Sequence, residues 1–234
     1  MDFKNEAQEI YDQLYHTSKH FIRSGKIDID QNLVHKKKDQ RRGLSIIVRP
    51  DEHAANEISK FQEKLRSVDD GQYFQPIADL HTTILSVISA YDGFKLENID
   101  PEQYSNVICE SLKDHKPFTL TIHGVTCSEG AIMIQGFNHD ERLQMLRENL
   151  RQSFQQSRLK NSIDSRYSLK TAHLTAVRYL RTLKDPLTYD HLIEKYRDYD
   201  FGAFEVSELE FVYHDWYQSR KIVKILRKIK LQHQ

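Results

Sequence analysis

Only two cysteines, Cys109 and Cys127, occur in 234 residues. They have no metal-ligand spacing and the chain has no need of a disulfide, so a reducing, cytoplasmic setting is expected. Glycine is scarce as well: the 8 glycines never approach a GxGxxG or P-loop run. That removes the common backbone cradles for dinucleotides and nucleoside triphosphates. No apolar run approaches the roughly 20 residues of a membrane-spanning helix, and the N-terminus has no secretory apolar core, so no membrane partner is expected. Charge imbalance is missing too. Lys+Arg and Asp+Glu are both 34, so no global field steers the chain toward nucleic acid or acidic lipid.

What remains is an ordinary globular composition, 38% apolar and 29% charged, long enough for one sizeable domain or two lobes sharing a core. The charge is locally uneven. Lys36-Lys37-Lys38 with Arg41-Arg42, and the tail from Arg220 to Lys230, are basic; each is either a solvated face or a phosphate-collecting rim.

Periodicity predicts an amphipathic helix over residues 2–22, with Phe3, Ala7, Ile10, Tyr11, Leu14 and Phe21 at helical spacing. Leu44–Val48 reads as a strand stopped by Pro50. Asp51 caps a helix with Ala55, Ile58, Phe61 and Leu65 on its apolar face. A β-branched strand follows at about 78–88. Asp100-Pro101 then opens a helix with Tyr104, Val107, Ile108 and Leu112 inward. Residues 118–122 and 131–134 form a hairpin. Asn138–Glu141 opens a helix carrying Leu143, Leu146, Leu150 and Phe154. A second β-branched strand is expected at about 171–180, and Asp185-Pro186 repeats the cap-plus-proline start. Residues 204–206 and 209–213 read as strand. The tail 221–231 fits two patterns: Val223, Ile225, Ile229 and Leu231 a strand paired with 204–213, the favoured reading, and Ile222, Ile225, Leu226 and Ile229 a helix. The order helix, strand, Asp-Pro-capped helix occurs at about 52–113 and again at about 138–199, the outline of an internal duplication.

The two β-branched strands carry the chemistry. His81-Thr82-Thr83 and His173-Leu174-Thr175 each place an imidazole and a hydroxyl two residues apart, hence on one strand face. The second pair lies 92 positions after the first. A pseudo-twofold between the repeats would turn both pairs toward one cleft. Two imidazoles can serve as general base and general acid, and two hydroxyls can hold phosphoryl oxygens. Strict alternation puts Tyr179 on the cleft side, to stack on a base or bond phosphate, and Arg178 on the opposite face, where an ion pair competes with phosphate binding.

His81-x-Thr83 and His173-x-Thr175, with the continuation Ala176-Val177-Arg178, resemble the tandem signature of the two-histidine phosphoesterases, in particular the 2',5'-RNA-ligase-like and cyclic phosphodiesterase branch. The resemblance spans about 43–231. Thr82 departs from the family's usual apolar residue, and Ala176 is smaller than usual; neither touches the polar pairs. The resemblance implies an α+β fold of two pseudo-symmetric lobes, with antiparallel sheets lining a central cleft and helices outside. It also implies catalysis by His81, Thr83, His173 and Thr175, with His173 as base and His81 as acid; Arg178, from the motif's continuation, and Tyr179, from its strand position, are the expected substrate-binding residues. No metal or cofactor is implied. The substrate would be a 2',3'-cyclic phosphate or 2',5'-linked nucleotide or RNA end, and the protein a monomer. Residues 1–42 would be a helical extension and 43–234 a single bilobal domain.

Two other readings stay open at this stage. One is a metal-dependent phosphohydrolase using His139-Asp140 or His214-Asp215. The other is a silent nucleotide- or RNA-binding module on the same fold.

Overall fold

The computed structural model describes residues 3–166 and 168–232. Helix α1 (Phe3–Arg23) and the short α2 (Gln31–Val34) precede strand β1 (Arg42–Val48) and helix α3 (Glu52–Val68). Then come β2 (Tyr73–Phe74), β3 (Thr82–Tyr91), α4 (Pro101–Leu112), β4 (Phe118–Ser128) and β5 (Ala131–Phe137). The chain ends with α5 (Arg142–Ser157), β6 (Leu174–Arg178), α6 (Pro186–Lys195), β7 (Asp200–Val206), β8 (Glu208–Asp215) and β9 (Lys224–Lys230). Residue 2, where the first helix was expected to begin, lies outside the described residues. No helix among the described residues is long and apolar enough to cross a membrane.

The expected caps close the helices: Asp51 accepts from Ala54 N, Asp100 from Glu102 N and Asp185 from Thr188 N. Each carboxylate satisfies a backbone donor that the first helical turn leaves unpaired. The inward stripes are also as spaced: Ala55, Ile58, Phe61 and Leu65 of α3 and Leu143, Leu146, Leu150 and Phe154 of α5 are buried.

The strands form one curled antiparallel sheet in the order β7-β4-β5-β6-β3-β1-β8-β9, with β2 also on β6. Read outward from its middle, the order is symmetric: β6-β5-β4-β7 on one side answers β3-β1-β8-β9 on the other. The helices are exchanged between these halves. α3 follows β1 yet packs on β6 and β7, whereas α5 follows β5 yet packs on β3 and α4. This is the two-lobed α+β architecture that the repeated element order predicts.

Three details differ from the sequence expectation. The first His/Thr strand starts later: Ile77–Asp79 form a 3-10 turn, and both histidines stand one residue ahead of their strands. The tail is a strand, but it pairs only with the later half of 204–213, from Glu208↔Lys230 to Tyr213↔Lys224. Phe204–Val206 belongs to β7, which pairs with β4 in the other half. The chain crosses between halves at Ser207, so one apparent strand region serves two sheet edges. Finally, the buried line of α1 runs through Ala7, Tyr11, Tyr15 and Ile22.

That line matters for the cleft. Tyr11 Oη accepts from the backbone N–H groups of Gly136 and Ala172, each at 3.2 Å. It ties α1 to β5 and to the segment leading into His173. At Gly136 a Cβ would stand 2.0 Å from the Ala172 carbonyl oxygen. Only glycine allows β5 to approach that segment so closely.

Candidate active site

The two halves of the sheet meet through a single pairing, Thr82↔Leu174, between β3 and β6. Beyond it the strands diverge, and a cavity of about 190 Å³ opens between them. Because the bridge involves the middle residue of each motif, the flanking residues turn together to the open side. His81, Thr83, His173 and Thr175 all line this cavity. Thr82 fills the family's apolar slot as an apolar residue would: it is fully buried and its hydroxyl has no partner.

Each motif is followed by a β-bulge. On β3, Leu85 pairs with Ile46 and Thr83 with the adjacent Ile47, leaving Ile84 extra. On β6, Thr175 pairs with Met133 and Val177 with the adjacent Ile132, leaving Ala176 extra. An extra residue flips the parity of everything after it. Arg178 therefore faces the cavity and Tyr179 does not. The alternation-based placement of these two residues is thus corrected. Tyr179 is fully buried in the core, its hydroxyl without a partner and its pKa pushed well up by burial. On β3, Thr83, Ser86 and Ser89 share the cavity face at a spacing of three.

Buried side chains from the exchanged helices hold the carbonyls at both bulges. Arg147 of α5 donates to Ile84 O (2.9 Å), Thr83 O (3.2 Å) and Thr171 O (2.8 Å). Gln62 of α3 donates to Ala176 O (2.8 Å) and Gln75 O (2.9 Å). Each satisfies acceptors that a regular ladder would have paired.

The imidazoles are held by their Nδ1 atoms. His81 Nδ1 lies 2.8 Å from Asp79 O, which can only accept, so this nitrogen carries a hydrogen. His173 Nδ1 lies 3.0 Å from Thr171 Oγ1, which can accept or donate. In both rings Nε2 is left for a ligand. Burial is the largest influence on each and favours the neutral form. It pulls His81 down to about 3, against the opposing hydrogen bond to Asp79 O. It pulls His173 down to about 4, assisted by the charges of Arg147 and Arg178. Both rings are nevertheless only half-buried toward the open cavity. A bound anion would offset this desolvation.

Arg178 stands 3.9 Å from Asp30 and 5.6 Å from the Tyr217 ring. The aromatic residues at the mouth, Tyr73, Trp216 and Tyr217, are ones that sequence inspection did not single out. Trp216 lies under Arg41 (4.5 Å) and Arg166 (4.8 Å), and Lys36 sits over Tyr73 (5.2 Å) and Tyr217 (5.4 Å). Lys36 and Arg41 of the basic run are therefore packed against the aromatic wall of the mouth, while Lys37 and Lys38 are exposed. A lone Trp beside a Tyr after the last residues of a strand was the available signal.

Of the histidines weighed as metal ligands, His139 is exposed, bonded to Thr121 Oγ1 at 2.9 Å, and does not line the cavity. His214 does line it, joined to Ser45. Among the described residues, no three His, Cys, Asp or Glu side chains gather as a metal ion would need.

Comparison with known proteins bears on the family and the fold. The family model described as "2'-5' RNA ligase superfamily" matches residues 50–217. No curated protein matches the chain in sequence. Among solved structures, TT0787 of Thermus thermophilus is similar with a TM-score of 0.59 at 16% identity, covering 82% of this chain and 97% of its own. E. coli LigT complexed with 3'-AMP is similar with a TM-score of 0.56 at 13% identity, covering 82% of this chain and 99% of its own. LigT complexed with phosphate gives a TM-score of 0.53 at 12% identity, with 83% and 99% covered. At such identities the likeness shows the shared fold.

Proposed function

Because the chain belongs to the 2'-5' RNA ligase superfamily, we propose that it is a metal-independent phosphodiesterase. Its substrates would be 2',3'-cyclic phosphates or 2',5'-linked nucleotides or RNA ends. The observation that carries this reading is the convergence of His81, Thr83, His173 and Thr175 on one cavity from two strands. LigT, whose fold this chain shares, has been captured with 3'-AMP and with phosphate.

In the proposed reaction water attacks phosphorus, a P–O bond forms, and the P–O bond to the leaving ribose oxygen breaks. His173 Nε2 takes the proton from water while its Nδ1–H donates to Thr171 Oγ1. His81 gives a proton from Nε2 to the leaving oxygen. The partners support this direction. The Asp79 carbonyl stabilises a protonated His81 against the Arg49 charge, whereas Arg147 and Arg178 disfavour a proton on His173, where no such bond opposes them. Burial works the other way, lowering His81 further than His173, and the phosphoryl anion has to overcome it. Thr83 and Thr175 donate to the non-bridging oxygens, where negative charge accumulates, and Arg178 adds a fixed cation. Solvent exchange returns both rings to their starting states.

The test is a panel of 2',3'-cyclic nucleotides, 2',5'-linked oligoadenylates and cyclic-phosphate-ended RNA, incubated with chelator present. Turnover of at least one substrate to a single 2'- or 3'-phosphate product is expected. Tight binding with every compound recovered unchanged would instead support a silent binding module.

A further inference from the structure

The cleft holds a third imidazole that the proposed chemistry does not use. His214 of β8 lines the same cavity as His81 and His173, and so does Ser45 of β1. His214 Nδ1 lies 2.6 Å from the Asp215 carbonyl oxygen, and its Nε2 lies 2.8 Å from Ser45 Oγ. A carbonyl has no hydrogen to give, so Nδ1 carries one. In the neutral ring Nε2 is then bare, and Ser45 must donate its only hydrogen to it. Burial keeps the ring neutral, pulling it down to about 4. Ser45 is 2% exposed and His214 6% exposed, so water has little room to rearrange this pattern.

Ser45 Oγ has thus spent its hydrogen and meets the cleft with lone pairs alone. A phosphoryl oxygen placed there would face another acceptor with no hydrogen between them. An N–H or O–H group placed there would find a partner. Ser86, which pairs with Ser45 in register, lines the cavity beside it, so this wall is polar and uncharged. Arg178 sits elsewhere on the lining, nearer Tyr217 and Asp30.

We propose that Ser45, held by His214, is a specificity-determining acceptor that receives an N–H or O–H donor from the nucleoside half of the phosphoester. This rests on the phosphoester reading of the cleft and adds the group beside it that tells a nucleotide from bare phosphate. His214 acts through Ser45 as a positioning residue.

Calorimetric binding to the full chain tests this without requiring turnover, with inorganic phosphate and 3'-AMP as probes. Ser45→Ala is expected to weaken 3'-AMP about threefold to tenfold, the usual worth of one hydrogen bond. It should leave phosphate within about twofold. His214→Gln can still accept the Ser45 hydrogen and should stay near wild type, whereas His214→Phe cannot and should fall with Ser45→Ala. The two His214 variants decide the matter if Ser45→Ala is too unstable to measure.

The ligand donor is identified by repeating the comparison with 2'-deoxyadenosine 3'-monophosphate and purine riboside 3'-monophosphate. Loss of the Ser45 dependence with the first assigns the 2'-hydroxyl, and with the second the exocyclic amine. Retention with both assigns another nucleoside donor. Equal weakening of phosphate and 3'-AMP, no change in either, or His214→Gln falling as far as His214→Phe would each overturn the inference. Failure of wild type to bind either probe would overturn the phosphoester reading, and the inference with it.

Discussion

The β3 and β6 motifs are near copies in backbone and unequal in electrostatics. Each has a histidine one residue ahead of its strand, a threonine two residues on, and a bulge directly after it. Each bulge is held by a buried side chain from the helix of the exchanged half. On the β3 side that side chain is a guanidinium, Arg147, and on the β6 side a neutral amide, Gln62. The histidine partners differ as well, a carbonyl for His81 and a hydroxyl for His173. The symmetric strand order therefore accounts for the convergence of the four groups. Acid–base work requires that the two copies then become unequal, and these substitutions around a common frame make them so.

The largest break in the comparison should come from the imidazoles themselves. His81→Ala and His173→Ala are each expected to lower turnover by ~10²–10⁴, the usual contribution of a positioned acid or base. Far-UV circular dichroism and the unfolding midpoint should stay close to wild type. A variant that unfolds yet keeps its activity per folded molecule would make that histidine a packing residue.

Next come the bulge clamps. Arg147→Leu strips partners from three carbonyls and is expected to cost about 3 kcal/mol in denaturant unfolding. Gln62→Leu strips them from two and should cost about 2 kcal/mol, at ~1 kcal/mol for each buried acceptor left unpaired. The sharper expectation is in the pH profile of any turnover. Arg147→Leu should move it, because the cation lowers His173, whereas Gln62→Leu should not. Equal effects on the profile would remove the electrostatic distinction between the halves.

Much of this frame is legible in the sequence, and what is not has identifiable causes. The capping aspartates, the inward stripes and the two motifs declare themselves because each depends on a local rule of spacing. The bulges do not. An extra residue leaves no mark in a β-branched run, so alternation assigned Arg178 and Tyr179 to the wrong faces. Arg147 and Gln62 were readable in principle. Each occupies a stripe position, Arg147 between Leu146 and Leu150 and Gln62 between Phe61 and Leu65, where a polar residue needs a buried partner. Ser45, Trp216 and Tyr217 reach the cleft only through sheet curvature and the crossing at Ser207. Nothing in one strand's own pattern encodes these.

A smaller and shared effect concerns acid. His81, His173 and His214 are held at about 3, 4 and 4 in the fold, against an ordinary 6.5. Between those values the unfolded chain binds protons that the native state refuses, so stability falls as pH drops from about 6.5 toward 4. Unfolding midpoints measured across that window should decline. Replacing His214 by Gln should remove part of the decline and leave the part due to the other two rings. A midpoint that is flat through this window would mean the rings are not held neutral.

The most direct test of a single phosphoryl site shared by two motifs is a histidine-ring NMR titration with inorganic phosphate. If both motifs grip one anion, the His81 and His173 ring resonances shift together along one binding isotherm. Both pKa values then rise in the complex, so binding takes up protons. Movement of only one ring, or two separate isotherms, would contradict the account.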